Sequence, residues 1–181
     1  ETYLSTTYPE TEGTLYEHCT RALDRALRLF GAHGLPLMGN GDWNDGMNAV
    51  GEGGQGESVW VGWFLYANLM TFGALAQTRG DATHAENYRE RAVQLAQALE
   101  EHGWDGEWYR RAFFDDGTPL GSAENDECRI DSIAQSWATI SGAASAGRAA
   151  QALQSAEKYL VDAPNTIVKL LAPPFDVANS E

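Results

Sequence analysis

The stretch ESVWVGWFLYANLMTFGALAQT, from Glu57 to Thr78, constrains the fold of this chain most. Its apolar residues (Val59, Trp60, Val61, Trp63, Phe64, Leu65, Leu69, Met70, Phe72 and Leu75) point all round a helix. A helix apolar on every side needs cover on every side. Gly62, Asn68 and Gly73 interrupt it, and its apolar part falls short of the span of about 20 residues that crosses a bilayer. It reads as a core helix. From Asp81 to about His102 the pattern changes. Ala85, Tyr88, Ala92, Leu95, Ala96 and Leu99 form one stripe, while Glu86, Arg89, Glu90, Arg91, Gln94 and Gln97 cover the rest. A buried helix followed by a half-exposed one is the pattern of two helix layers, inner and outer.

The remaining segments fit the same plan. Thr14 to Glu17 has the form of a capping box. The helix it opens carries Leu15, Cys19, Ala22, Leu23, Ala26, Leu27 and Phe30 at three- and four-residue spacing, and Gly31 stops it. Between Trp104 and Leu120, aromatic residues flank Asp115-Asp116-Gly117, which predicts a β-hairpin with those residues at its tip. Arg110 and Arg111 alternate faces there, so at most one of them meets a site. Further helices are expected from Asp131 to about Gly142 and from Ala146 to about Val161. The fold class is all-α, with inner and outer layers and a small hairpin insertion. A closed ring of six helix pairs would need roughly 200–300 residues. A chain of 181 residues cannot hold that ring and the hairpin too.

Charge narrows the function classes. A formal net charge of −14 leaves no basic patch to neutralise phosphates, which excludes nucleic acid as a partner. It also disfavours anionic membrane surfaces. Cys19 and Cys128 show no ligand spacing and are expected to be free thiols in a reducing compartment. The histidines His18, His33, His84 and His102 have no metal spacing either, so no metal is expected. Glu1-Thr2-Tyr3 has no basic start and no apolar run behind it, so no signal peptide is expected. The location expected is cytoplasmic, with inner-membrane anchorage of a longer parent, through segments outside this chain, left open.

Ahead of the core helix lies GNGDWNDGMNAVGEGGQG, residues 39–56. Glycosidic cleavage needs a protonated carboxyl beside the leaving oxygen and a wall that holds the sugar. Trp43 offers an apolar plate and an indole N–H. Asn44 and Asn48 can bind hydroxyls as donor and acceptor, and glycines let backbone approach a ligand. A carboxyl shielded from water near Trp43 would have the raised pKa of a general acid. Asp, Asn and Gly are equally the residues of tight turns, and 51–56 could be a plain flexible loop. Other acids compete. Glu57 suits a helix-start carboxylate bonded to backbone N–H groups. Glu127, Arg129 and Asp131 suit either an ion-pair cluster at a helix start or the polar lining of a cleft.

The segment GAHGLPLMGNGDWNDGMNAVGEGGQGESVWVGWF resembles the catalytic segment of glycoside hydrolase family 94, the inverting phosphorylases of cellobiose, chitobiose and β-1,2-glucans. TLYEHCTRALDRAL, DGEWYRRAFFDDGTPLGS, ECRIDSIAQSWATISG and LLAPPFD are similar to the phosphorylase-like C-terminal region of cyclic β-1,2-glucan synthases. The resemblance implies an (α/α)6 barrel, of which residues 1–181 would be one fragment. It implies that Asp45 is the general acid, that Trp43 lines the donor-sugar subsite and that Asp42 supports them. Inorganic phosphate would be the nucleophile, as co-substrate and without a further cofactor, giving an α-sugar 1-phosphate and a shortened β-glucan oligosaccharide. Ala49 stands where an arginine is common. The family's phosphate-binding histidine and threonine-glycine pair follow a PPFD-like segment, and its donor-site arginine and aspartate precede the matched blocks. On that pattern the fragment alone is expected to be inactive and to depend on the remainder of a parent polypeptide; an inner-helix face exposed by truncation would be a large apolar patch, open to self-association through truncated barrel faces. Two other readings stay open. One is an inverting hydrolase with Glu127 or Asp131 as base; the other is a non-catalytic carbohydrate-binding module.

Overall fold

The computed structural model describes residues 12–176, with Asp45 described through its backbone alone. Five α-helices dominate, as expected: α1 (Leu15–Ala26), α2 (Val59–Thr78), α3 (Ala82–His102), α4 (Ser132–Ile140) and α5 (Ala146–Leu160). Short strands join them: β1 (Glu57–Ser58), β2 (Ala112–Phe113), β3 (Pro119–Leu120), β4 (Ile130–Asp131), β5 (Val161–Asp162), β6 (Ile167–Val168) and β7 (Leu171–Ala172). α2 lies along α3 and against α4, and α5 packs on α4. This is a partial helical barrel, with α2 and α4 inside and α3 and α5 outside. The core runs along the α2–α3 seam, where Trp63, Leu65 and Leu69 meet Tyr88, Ala92, Leu95 and Leu99. Each large side chain buried there stabilises the fold by about 1.5–3 kcal/mol.

Helix starts follow the sequence. Thr14 and Glu17 close the capping box of α1, Ser58 caps α2 through Val61 N–H, and Asp81 caps α3 through His84 N–H. Two expectations are corrected. α1 ends at Ala26 rather than near Phe30. The Arg91 guanidinium donates to the Leu27 carbonyl at 3.2 Å and lies over the Phe30 ring, while Phe30 bridges Pro36 as extended chain. α2 is not buried on every side. Phe64, Met70 and Leu75 are more than two-fifths exposed, although the Phe64 ring meets Trp137 of α4 edge-on at 5.3 Å.

The predicted hairpin is present, and it is part of a larger sheet. Ala112 pairs with Leu120 and Phe113 with Pro119. β1 adds a third antiparallel strand, with Glu57 opposite Phe113 and Ser58 opposite Ala112. The hairpin is thereby fastened to the start of α2. At the start of α4, β4 pairs with β7, Ile130 opposite Ala172.

Candidate active site

The polar segment ahead of α2 is a closed loop with its own interior. Leu37 bridges Glu57, Met38 N–H donates to the Gly56 carbonyl at 2.7 Å, and Ser58 N–H donates to the Pro36 carbonyl at 2.9 Å. Those pairs seal the base of residues 39–56. Inside, Met38, Met47 and Val50 pack with Ala112, Leu120 and Cys128. A Cβ on Gly56 would stand 2.3 Å from the Val50 carbonyl oxygen, and one on Gly51 would stand 2.9 Å from that of Gly39. These two glycines therefore serve the crossing of the loop over itself, not the approach of a ligand. The option of a plain flexible loop at 51–56 is corrected as well. Gly53, Gln55 and Gly56 donate their N–H groups to the Asp115 carboxylate at 2.7, 2.6 and 2.8 Å.

Asp42 anchors the other end. Its carboxylate takes two parallel bonds from the Arg111 guanidinium, at 2.7 and 2.8 Å, a third from the Ser58 hydroxyl at 2.8 Å and a fourth from Asn44 N–H at 3.1 Å. The side chains of Asp42 and Arg111 are wholly buried. A forked guanidinium–carboxylate pair is the geometry in which a buried cation is best matched. Burial pushes the Asp42 carboxyl up. Arg111, with the bonds from Asn44 and Ser58, more than offsets it, so the group lies below the usual carboxylate range. Asp131 faces the same guanidinium from the start of α4, 3.5 Å from Nε, while its other oxygen accepts Ile133 N–H at 2.8 Å. Burial dominates there, and the Asp131 carboxyl is pushed up to about 6 against the pull of Arg111. One buried cation thus ties the loop, the start of α2 and the start of α4 together.

The sequence-predicted residues divide around this centre. Asn44 caps a single 3-10 turn, Asp45–Met47, by accepting Gly46 N–H at 3.0 Å, and Asn48 follows the turn, exposed. Asp45 occupies the first position of that turn. Trp43 is half-exposed, and its ring meets Trp60 edge-on at 6.4 Å. Trp60 stacks on Phe64 and meets Trp137 edge-on. An aromatic surface therefore adjoins the turn that bears Asp45. Such a surface can hold the C–H face of a sugar ring. Glu57 is buried and turned away from α2. It accepts His33 N–H at 3.0 Å and Leu35 N–H at 3.1 Å, and faces His33 Nδ1 at 2.5 Å. It meets backbone donors as expected, but those of the preceding loop. Arg129 donates to the Ala123 carbonyl and Glu127 accepts Asp176 N–H, whereas Asp131 alone of that trio reaches Arg111.

Sequence reasoning allowed at most one of Arg110 and Arg111 at a site without choosing between them; it is Arg111, while Arg110 pairs with Asp105. The available signal was a cation beside Ala112, Phe113 and Phe114 in a strand. A cation buried among such neighbours demands a carboxylate partner.

Comparison with known proteins agrees with this architecture. Residues 3–181 match the family model of the glycosyl hydrolase 94 superfamily, catalytic domain. The chain is 51% identical over 169 residues to the cyclic beta-(1,2)-glucan synthase NdvB of Rhizobium meliloti (strain 1021), covering 93% of this chain and 6% of that protein. It is 40% identical to the 3-O-beta-D-glucopyranosyl-beta-D-glucuronide phosphorylase of Paenibacillus borealis, over 90% of this chain and 21% of the relative. It is 38% identical to the solabiose phosphorylase of the same organism, over 94% and 22%. Among solved structures, a GH78 family rhamnosidase of Bacillus sp. GL1 shares the fold, with a TM-score of 0.61 at 22% identity, over 86% of this chain and 15% of that one.

Proposed function

The chain belongs to the glycosyl hydrolase 94 superfamily, and on that premise we propose that it is the acid-bearing segment of an inverting β-glucan phosphorylase in a protein like the cyclic β-1,2-glucan synthases. Asp45 gives its proton to the departing glycosidic oxygen. Inorganic phosphate attacks the anomeric carbon from the opposite face, so the carbon–oxygen bond to the glucan breaks as the bond to phosphate forms. The products are α-glucose 1-phosphate and a shortened glucan. Trp43 backs the donor sugar, with Asn44 and Asn48 beside it.

The observation that carries this reading is the anchoring of Asp42. A surface turn has no use for a buried, forked ion pair. A loop that must hold an indole and, two residues on, a carboxyl in fixed register against a sugar does. Hydrolysis would need a base carboxylate, and the Asp131 carboxyl is turned onto Arg111 and the α4 start instead. The chain spans 6% of the synthase and about a fifth of the phosphorylases, so the rest of the machinery is assigned to a parent polypeptide. The 181 residues alone are then expected to release little or no glucose 1-phosphate. The exposed apolar side chains Met70 and Leu75 of α2 are assigned to contact with that parent, or to self-association when it is absent.

The test is made in the full-length parent with a β-1,2-glucan. Asp45→Asn should lower glucose 1-phosphate release by about 10²–10⁴-fold, the range of a lost general acid. Cleavage should stop when phosphate is withheld. Undiminished release by the variant, or free glucose as the product without phosphate, refutes the proposal.

A further inference from the structure

We propose that the β2–β3 hairpin is a brace that sets the position of the acid-bearing loop, with Arg111 and Asp115 as its two positioning residues. The proposal rests on the phosphorolytic reading of that loop.

The hairpin touches the loop at its entry, underside and exit. At the entry, Arg111 at the root of β2 grips the Asp42 carboxylate with both terminal nitrogens. That carboxylate accepts Asn44 N–H, so it fixes the backbone on either side of Trp43. On the underside, Ala112 and Leu120 pack with Met47 and Val50. Met47 closes the same 3-10 turn that Asp45 opens. At the exit, Asp115 accepts three backbone N–H groups, from Gly53, Gln55 and Gly56. The rise from Arg111 to Asp115 is about 13 Å of extended chain, which carries the brace along the loop.

The arrangement goes beyond what a hairpin needs for itself. A turn of sequence Asp115-Asp116-Gly117 is served by Asp116, which accepts Thr118 N–H at 2.9 Å within the hairpin. The Asp115 carboxylate is spent wholly on the loop. Likewise, a strand gains nothing from burying a guanidinium unless the buried carboxylate beside it must stay fixed. Neither residue bears the acid or the indole, so each acts through the loop. A displacement of about 1 Å at a reacting group can lower the rate by about 10²-fold. Loosening the brace should therefore appear in kcat more than in KM.

The experiment uses the full-length parent and three variants: Asp115→Ala, Arg111→Lys and, as a control, Asp116→Ala. Hydrogen exchange is followed in peptides covering residues 42–50 and 51–58, beside steady-state phosphorolysis. Asp115→Ala should raise exchange in 51–58 and lower kcat about tenfold, with KM for phosphate within about threefold of the unmutated enzyme. Arg111→Lys keeps the charge but loses the fork. It should raise exchange in 42–50 and lower kcat by about 100-fold. Asp116→Ala should change neither readout. The proposal is overturned if Asp115→Ala leaves exchange in 51–58 unchanged, or raises it while kcat stays at the unmutated value. If the unmutated parent shows no phosphorolysis, the functional reading fails, and the exchange arm decides by itself whether the hairpin holds the loop.

Discussion

Replacing Arg111 with Met tests the claim that one buried cation organises the site. The substitution keeps much of the side-chain volume and removes the charge. It leaves the carboxylates of Asp42 and Asp131 facing each other, both buried and with no cation between them. Removing one partner of a buried pair costs about 3–5 kcal/mol, because the remaining charge is uncompensated. Asp42→Asn alone leaves Arg111 with Asp131 at 3.5 Å as its remaining charged partner. Its cost should be smaller, about 1.5–3 kcal/mol for bonds to a charged group. The double variant Asp42→Asn/Arg111→Met carries no unmatched charge at Asp42. It should be less destabilised than the sum of the two single variants by about 2–3 kcal/mol. Urea unfolding of the chain and its three variants, followed by far-ultraviolet circular dichroism at neutral pH, gives all four corners of the cycle. Because the pair is out of solvent, the coupling should survive a change from low to about 0.5 M salt. Additive single costs, or an Arg111→Met cost below about 1 kcal/mol, would falsify the assignment of Arg111 as the electrostatic centre.

Two further outcomes follow from single residues. The Asp131 carboxyl, at about 6 in the folded chain against 3.8 ordinarily, binds its proton more tightly when folded. Its stabilisation is complete below about pH 4 and is lost as pH rises through 6. The stability of the unmutated chain relative to Asp131→Asn, which cannot titrate, should fall by about 2 kcal/mol between pH 4 and pH 7; a pH-independent difference in urea midpoints refutes the reading. At Gly56, Ala would force the loop backbone apart, since its Cβ would meet the Val50 carbonyl oxygen at 2.3 Å. A loss of about 2 kcal/mol or more is expected from such overpacking, and an unchanged midpoint in the same unfolding assay contradicts it.

The helices were legible because their information is local. A 3.6-residue period and a capping box lie within one segment, and α1 and α3 begin where the side chains of Thr14 and Asp81 cap them. The end of α1 was less legible. It is fixed by Arg91, a residue 64 positions away that takes up the Leu27 carbonyl. The exposure of Phe64 and Met70 was hidden for a related reason. Periodicity shows that a face is apolar, not which neighbour covers it.

The loop shows most sharply where sequence pattern stops. Asp, Asn and Gly at residues 39–56 fit both a turn and a site, and no count of residue types separates the two. The separating fact is long-range. Asp42 meets an arginine 69 residues later, and Gly53, Gln55 and Gly56 meet an aspartate 59–62 residues later. Both partners sit on one hairpin, which the chain reaches only after completing α2 and α3. The loop cannot take its final shape until the α2–α3 seam has formed and returned Arg111 to the start of α2. Its polar groups therefore contribute little to early folding and much to the finished geometry. Variants of Arg111 should accordingly speed unfolding more than they slow folding, whereas Trp63→Ala in the seam should slow folding. Stopped-flow kinetics would overturn this order if Arg111→Met slowed refolding as much as the seam variant does.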